Sequence, residues 1–166
     1  MPPVYTLAPD VHRLAKELID EEAEFGRLRG RPMLFVSVEP TQKRGMTRVL
    51  GKTDIVSGKN ALMYWTALNK SDQGPFHRIT VAAGPWLTMD DRGRRWLLRH
   101  ELRHCGFKEV KKKGQEPEER PCLINHDVEL FNADLADPAF FDVEYVVRIC
   151  QNMPQLEMRF AEDRAA

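Results

Sequence analysis

Two histidines four residues apart, with a glutamate beside the first, are the residues of this sequence best suited to chemistry. They are His100, Glu101 and His104 in the segment His-Glu-Leu-Arg-His. On a helix, residues i and i+4 share one face, so both imidazoles could bind one metal ion. Glu101 is rotated by about 100° from His100 and could accept a proton from a metal-bound water without binding the metal. The pattern therefore indicates a hydrolytic zinc site, since zinc lowers the pKa of bound water to about 7.

The same segment also fits a simpler interpretation, a charged helix whose histidines lie at the surface or are satisfied in the core. The chain has 5 His, and 30% of its residues are charged. A His-Glu-x-x-His pattern then arises by chance in roughly one such sequence in a hundred. The motif alone therefore supports only a hypothesis of a zinc site, and such a site would need a third ligand.

A catalytic zinc usually takes three protein ligands and leaves one position open. We predict His126 as the third ligand, because it opens a predicted helix that follows a predicted hairpin and could fold back on the first helix. Glu129, one turn further on, is the alternative ligand. Asp127 is either an acceptor for a ligand imidazole or an acid that favours a helix N-terminus. The other two histidines, His12 and His77, are predicted at the surface.

The helix that carries the motif is predicted from Met89 to Cys105. Thr88 is its predicted N-cap, because a hydroxyl can accept from the first-turn N–H groups and acids follow it. Gly106 is predicted at its C-terminal end. Cys105 should point into the core with the apolar side of the helix, and the two histidines should line a cleft beside that side.

Four arginines share another stripe of this helix at 100° per residue. We predict a solvated face for them, with a preference for acidic substrates or contact with nucleic acid as the alternative. They are Arg92, Arg95, Arg99 and Arg103.

The remaining patterns favour an α+β fold with a small sheet. Pro9-Asp10 opens a helical pattern that ends at Gly26 and Gly30. Apolar runs bounded by turn residues predict strands at 33–38 and 77–82 and a strand pair at 107–113 and 119–124. Residues 41–60 are polar and rich in Gly, which predicts a loop or an irregular hairpin. Further helices are predicted after Asn125 and after Asp137-Pro138.

Length and composition favour one domain over residues 1–166. Lys+Arg and Asp+Glu both number 25, so the formal net charge is zero. The overall charge therefore does not indicate a protein that binds nucleic acid or an anionic membrane, although nucleic acid is kept as an alternative partner. No apolar run reaches the roughly 20 residues of a membrane span, and the first ten residues lack the features of a secretory signal. Three widely spaced cysteines suit reduced thiols, so we expect a cytoplasmic protein.

Two segments together resemble the phage metallopeptidase family. They are "FHRITVAAGPWLTMDDRGRRWLLRHELRHC" and, after it, "NHDVELF". The resemblance covers about residues 33–132 and implies a small zincin-like domain of minigluzincin type, with a short sheet packed on the motif helix. It implies zinc ligands at His100, His104 and His126 and Glu101 as catalytic base. The motif order is also similar to SprT-type proteases, which act at DNA, but no separate DNA-binding module is seen here.

These observations predict a zinc-dependent metallopeptidase, encoded by a phage or prophage, that acts on a protein or peptide. The oligomeric state stays open. A non-catalytic domain stabilised by zinc, such as a phage regulator, is the first alternative, and a domain without metal is the second.

Overall fold

The computed structural model describes residues 2–44, 47–111 and 116–125. Within them, runs of strands and helices follow one another along the chain, which is typical of an α+β fold. The strands are β1 Val4–Leu7, β2 Met33–Glu39, β3 Lys43–Arg44, β4 Thr47–Arg48, β5 Gly51–Val56, β6 Phe76–Ala82, β7 Cys105–Val110 and β8 Glu118–Leu123. The helices are α1 Pro9–Glu21, a 3-10 helix Ala23–Leu28, α2 Gly58–Ala67, α3 Ala83–Thr88 and α4 Asp91–Arg103.

Four of the strands form the principal sheet, in the order β1-β2-β6-β5. The two central strands, β2 and β6, are parallel, with Phe35 opposite Ile79. The two outer strands run antiparallel to their neighbours. β5 therefore lies at one edge of this sheet, and β7 and β8 form a separate antiparallel hairpin.

Helices pack on both faces of the sheet. Phe35, Ile79 and Val81 point to one face and join the buried apolar residues of α1 and α4 in the main core. Residues of opposite parity, such as Leu34 and Phe76, point to the other face and pack against Trp65 of α2. The apolar side of the motif helix α4 thus faces the core, as its periodicity predicted, and this core lies against the sheet.

The structure corrects the prediction for residues 41–60. A short hairpin of β3 and β4 is present there, but the segment also contains β5, a full strand of the principal sheet. β5 was missed because Lys52 and Asp54 interrupt its apolar pattern and Gly51 begins it. An edge strand needs few apolar residues, since only part of its surface is covered.

The start of the motif helix is also corrected. Thr88 ends the short helix α3 and donates its hydroxyl to Pro85 O at 3.0 Å. Asp90 caps α4 instead, and its carboxylate accepts from Gly93 N at 2.8 Å. The helix stops at Arg103, so that Gly106 lies within β7 rather than at the helix end.

The mixed α+β class, the first helix, both central strands and the hairpin are confirmed. The first helix ends at Glu21, and a 3-10 helix completes the predicted span to Leu28. The helices predicted after Asn125 and after Asp137-Pro138 lie outside the described residues. Among the residues described, no helix combines the length and apolar character needed to cross a membrane.

Candidate metal centre

The two motif histidines lie side by side, as the helical spacing predicted. The ring centroids of His100 and His104 are 5.2 Å apart, with an angle of 82° between the rings. His104 follows the last residue of α4 but keeps helical backbone angles, φ −67° and ψ −19°. The i and i+4 relation is therefore preserved, and both rings are only half-buried.

A backbone carbonyl fixes the tautomer of His104. Its Nδ1 lies 2.7 Å from Ile124 O, and Ile124 N donates to His104 O at 2.9 Å. Because a carbonyl only accepts, Nδ1 must hold the proton, and in the neutral ring the lone pair is then on Nε2. A ligand histidine in a zinc site commonly has its other ring nitrogen bonded in this way.

Trp96 orients the other histidine. The rings of Trp96 and His100 are stacked, with centroids 5.9 Å apart and planes 23° apart. Trp96 is partly buried and packs against the main core. The indole therefore packs along one side of His100.

Glu101 points into the contact between α4 and β5, where only 4% of its surface is exposed. Its Oε2 accepts from the hydroxyl of Thr53 at 2.7 Å. The carboxylate also lies against Gly51, where an added Cβ would come within 2.9 Å of Glu101 Cδ. The sequence singled out Glu101 but missed both of its neighbours on β5, because the strand itself was not predicted.

These residues suit zinc better than a hard cation. Two imidazoles one helical turn apart are donors that suit zinc, whereas Mg²⁺ and Ca²⁺ favour sets of oxygen ligands. Within the described ranges, no group of three or more His, Cys, Asp or Glu side chains is placed to hold a metal. His126, Asp127 and Glu129 lie outside those ranges. The described part of the site therefore offers two candidate ligands, His100 and His104.

The structure contradicts the surface position that was predicted for His77. This histidine is 1% exposed, its Nε2 lies 3.1 Å from Cys122 O, and its ring meets that of Phe107 edge-on at 5.3 Å. Burial lowers the pKa of His77, which favours the neutral ring. The alternation along β6 could have shown this position, because His77 shares its face with Ile79 and Val81. His12, by contrast, is exposed as predicted and stacks on Phe35.

The predicted solvated arginine stripe is an ion-pair network between helices. Arg99 Nη2 lies 2.8 Å from Glu22, and Arg103 Nη2 lies 3.0 Å from Glu24. Arg95 pairs with Glu17 at 3.4 Å and with Asp91 of its own helix at 3.0 Å. The stripe therefore joins α4 to α1 and the 3-10 helix. Arg92, at the start of α4, is exposed.

Cys105 lies in the core, as predicted, with no exposed surface. Burial raises the pKa of its thiol, so that the thiolate needed for metal binding or nucleophilic attack is disfavoured. Cys105 and Cys122 are both free thiols, in agreement with the prediction for these two cysteines. Cys150 lies outside the described residues.

Two cavities of the described structure lie away from the histidine pair. One of about 350 Å³ is bordered by α1, β2 and α2 and includes His12 and Trp65. The other, of about 270 Å³, lies beside Ile55, Tyr64 and Arg78. Neither is lined by His100, Glu101 or His104, so both are separate from the candidate metal centre.

Comparison with known sequences gives one family. Searches of curated proteins and of solved structures return no match. The profile of a family described as "Putative phage metallopeptidase" matches residues 4–152, which is most of the 166 residues. The match includes the whole described site and residues 126–152. This chain therefore belongs to that phage metallopeptidase family.

Proposed function

We propose that this protein is a zinc-dependent peptidase with a zincin-like site. The observation that carries the proposal is the pairing of His100 and His104 one helical turn apart, with Glu101 between them in sequence and held at β5. The family description supports the reaction class, the hydrolysis of a peptide bond. The proposed substrate is therefore a protein or a peptide.

We propose His126 as the third ligand. Consecutive Cα atoms are about 3.8 Å apart, so the Cα of His126 cannot lie more than about 7.6 Å from that of Ile124. Ile124 itself exchanges two hydrogen bonds with His104. Glu129 is the alternative, but its Cα could lie up to about 19 Å from Ile124. The shorter tether favours the histidine.

The residues of the chain would divide the reaction between them. His100 and His104 hold the metal, and the bond from His104 Nδ1 to Ile124 O keeps its ring in the tautomer that can do so. When bound, zinc would polarise the scissile carbonyl and acidify water. Glu101 would accept the proton of the attacking water and pass it to the leaving amine.

The burial of Glu101 favours a second candidate, a non-catalytic domain that zinc stabilises. A carboxylate that is 4% exposed and bonded to Thr53 could serve packing between α4 and β5 alone. A structural zinc site is closed by four protein ligands, and removing its metal unfolds the protein. The two candidates therefore differ in the role of Glu101 and in what zinc removal does.

The test compares zinc-loaded wild type with Glu101→Gln, using fluorescently labelled, unfolded casein as the probe. The peptidase proposal predicts that Glu101→Gln keeps its zinc and loses hydrolysis by about 10²- to 10⁴-fold. Glu17 belongs to α1 and pairs with Arg95 on the side of α4 away from β5. Glu17→Gln therefore serves as the matched control and should hydrolyse casein at the wild-type rate. Equal hydrolysis by wild type and Glu101→Gln contradicts the proposal. An inactive wild type that unfolds when zinc is chelated supports the second candidate.

A further inference from the structure

Thr53 of β5 contacts Glu101 at two points. Its hydroxyl oxygen lies 2.7 Å from Glu101 Oε2 and 3.0 Å from Glu101 O. A threonine hydroxyl has one hydrogen to donate, and a carboxylate is a stronger acceptor than a backbone carbonyl. The hydrogen bond to the carboxylate is therefore the stronger of the two contacts.

The backbone contact is possible because α4 ends close by. The helix stops at Arg103, so Glu101 O accepts from His104 N at 3.2 Å, in the i+3 pattern of a final turn. Cys105 Sγ also lies 3.7 Å from the same carbonyl. The Thr53 hydroxyl thus lies against both the backbone carbonyl and the carboxylate of Glu101 at the end of α4, and its one hydrogen is best donated to the carboxylate.

Gly51 gives the carboxylate the room it occupies. It lies two residues before Thr53, so both positions point to the same face of β5. A Cβ at Gly51 would come within 2.9 Å of Glu101 Cδ and 3.0 Å of Glu101 Cγ. Its backbone does not have the positive φ that other glycines of this chain adopt. Glycine at position 51 is therefore explained by the space that the Glu101 side chain occupies, and not by a backbone conformation that only glycine adopts readily.

We propose that Thr53 is a positioning residue that fixes the carboxylate of Glu101 in one orientation, and that Gly51 leaves the space for it. This inference rests on the proposed function, in which Glu101 is the base. A base acts only when its carboxylate is held in reach of the proton it accepts, and misplacement by about 1 Å can cost a hundredfold in rate. On β5, the hydroxyl of Thr53 and the absence of a side chain at Gly51 together define the position of the Glu101 carboxylate.

The first test compares Thr53→Val, which keeps the shape and loses the hydroxyl, with Thr53→Ser, which keeps the hydroxyl. With labelled casein and zinc-loaded protein, Thr53→Val should lower kcat at least about tenfold with unchanged KM and zinc content. Thr53→Ser should stay within about threefold of wild type. Thr6→Val is the matched control, because Thr6 is bonded to Ser37 at 2.8 Å on the opposite edge of the sheet. A Thr53→Val kcat equal to that of Thr6→Val overturns the proposal.

Gly51→Ala gives a second variant that keeps the Thr53 hydroxyl, in case Thr53→Val does not fold. Its methyl group must displace the carboxylate of Glu101, so kcat should again fall at least about tenfold while zinc is retained. Gly26→Ala is its control, because an added Cβ there meets nothing within 4 Å. An unchanged kcat in Gly51→Ala overturns the proposal.

A stability measurement tests the contact without using activity. The melting temperature is measured for Thr53→Val in the wild-type background and in a Glu101→Leu background, with zinc and with chelator. If the hydroxyl serves the carboxylate, Thr53→Val should lower the melting temperature less than half as much once Glu101 is replaced. Equal shifts in both backgrounds overturn the proposal. If wild type cleaves no casein, the peptidase function fails, and this cycle alone decides whether Thr53 positions Glu101.

Discussion

Helix α4 uses its charged residues differently on its two sides. On the ion-pair side, Arg95 and Arg99 face acids of α1 and of the segment that joins it to the 3-10 helix at partly exposed positions, and the more buried Arg103 pairs with the partly exposed Glu24. On the sheet side, Glu101 is almost completely buried and accepts a hydrogen bond from Thr53. Partly exposed ion pairs are screened and can replace one another, whereas a buried carboxylate depends on each of its contacts. Charged residues therefore stabilise the helix on the ion-pair side, whereas on the sheet side the charged residue Glu101 carries the proposed chemistry.

The largest expected difference between the two sides is in activity. Glu101→Leu should abolish casein hydrolysis, a loss of about 10²-fold or more, because no base remains. Its free energy of unfolding should stay within about 2 kcal/mol of wild type, since an apolar side chain fills the buried site and the Thr53 hydroxyl can still donate to the backbone carbonyl of position 101. Activity and urea denaturation measured on one preparation check both statements. A Glu101→Leu protein that is active, or one destabilised by more than about 3 kcal/mol, contradicts this view of the sheet side.

Removing one arginine of the ion-pair side should change stability and leave activity intact. The side chain of Arg103 is only 10% exposed, and it donates to both carboxylate oxygens of Glu24, at 3.0 and 3.2 Å. Arg103→Met should therefore cost about 1–2 kcal/mol in the free energy of unfolding. Urea denaturation measures this cost, and casein hydrolysis should remain near the wild-type rate. A large loss of activity at unchanged stability would give the ion-pair side a catalytic role and break the comparison.

His77, buried beside the hairpin, should make stability depend on pH. Burial lowers its pKa in the folded state, so the unfolded chain binds a proton there first as pH falls below 6.5. Its contribution to stability is therefore present above pH 6.5 and is lost as pH falls, by up to about 1.4 kcal/mol per pH unit. Urea denaturation at pH 7.5, 6.5 and 5.5 checks this, with His77→Gln as the variant that cannot titrate. The same loss of stability between pH 6.5 and 5.5 in both proteins would show that another group is responsible.

The smallest effect is expected at Arg99, where both partners are about one quarter exposed. Arg99→Gln should cost less than about 1 kcal/mol, and 1 M salt should remove most of that difference by screening. Denaturation at low and high salt measures it. A cost above about 2 kcal/mol that salt does not reduce would show that this side is not a screened, replaceable network.

The sequence predicted the parts of the site that follow from local rules. The i and i+4 spacing of His100 and His104 and the apolar side of α4 depend only on helical periodicity, and both are observed. The N-cap was predicted at Thr88 rather than Asp90, because Ser, Thr, Asp and Asn cap helices almost equally well. Local propensity could not separate the two.

The missed features depend on residues that are distant in sequence. Thr53 meets Glu101 across 48 positions, and Arg103 meets Glu24 across 79. No pattern within α4 shows which acid or hydroxyl will face it. β5 was missed because its sequence reads as a polar loop, and without β5 neither Thr53 nor Gly51 could be connected to Glu101. Helical periodicity therefore predicted how the motif residues are arranged on α4, whereas the residues that surround Glu101 are determined by tertiary packing.

The zinc content of the purified protein tests the central claim most directly. Wild type and His12→Ala, a control at an exposed histidine, should each hold about one zinc per chain after dialysis against a weak chelator. His104→Ala and His126→Ala should each lose most of that zinc, because a three-ligand site does not survive the loss of one ligand. A wild type without zinc, or a His126→Ala protein that keeps it in full, would contradict the account.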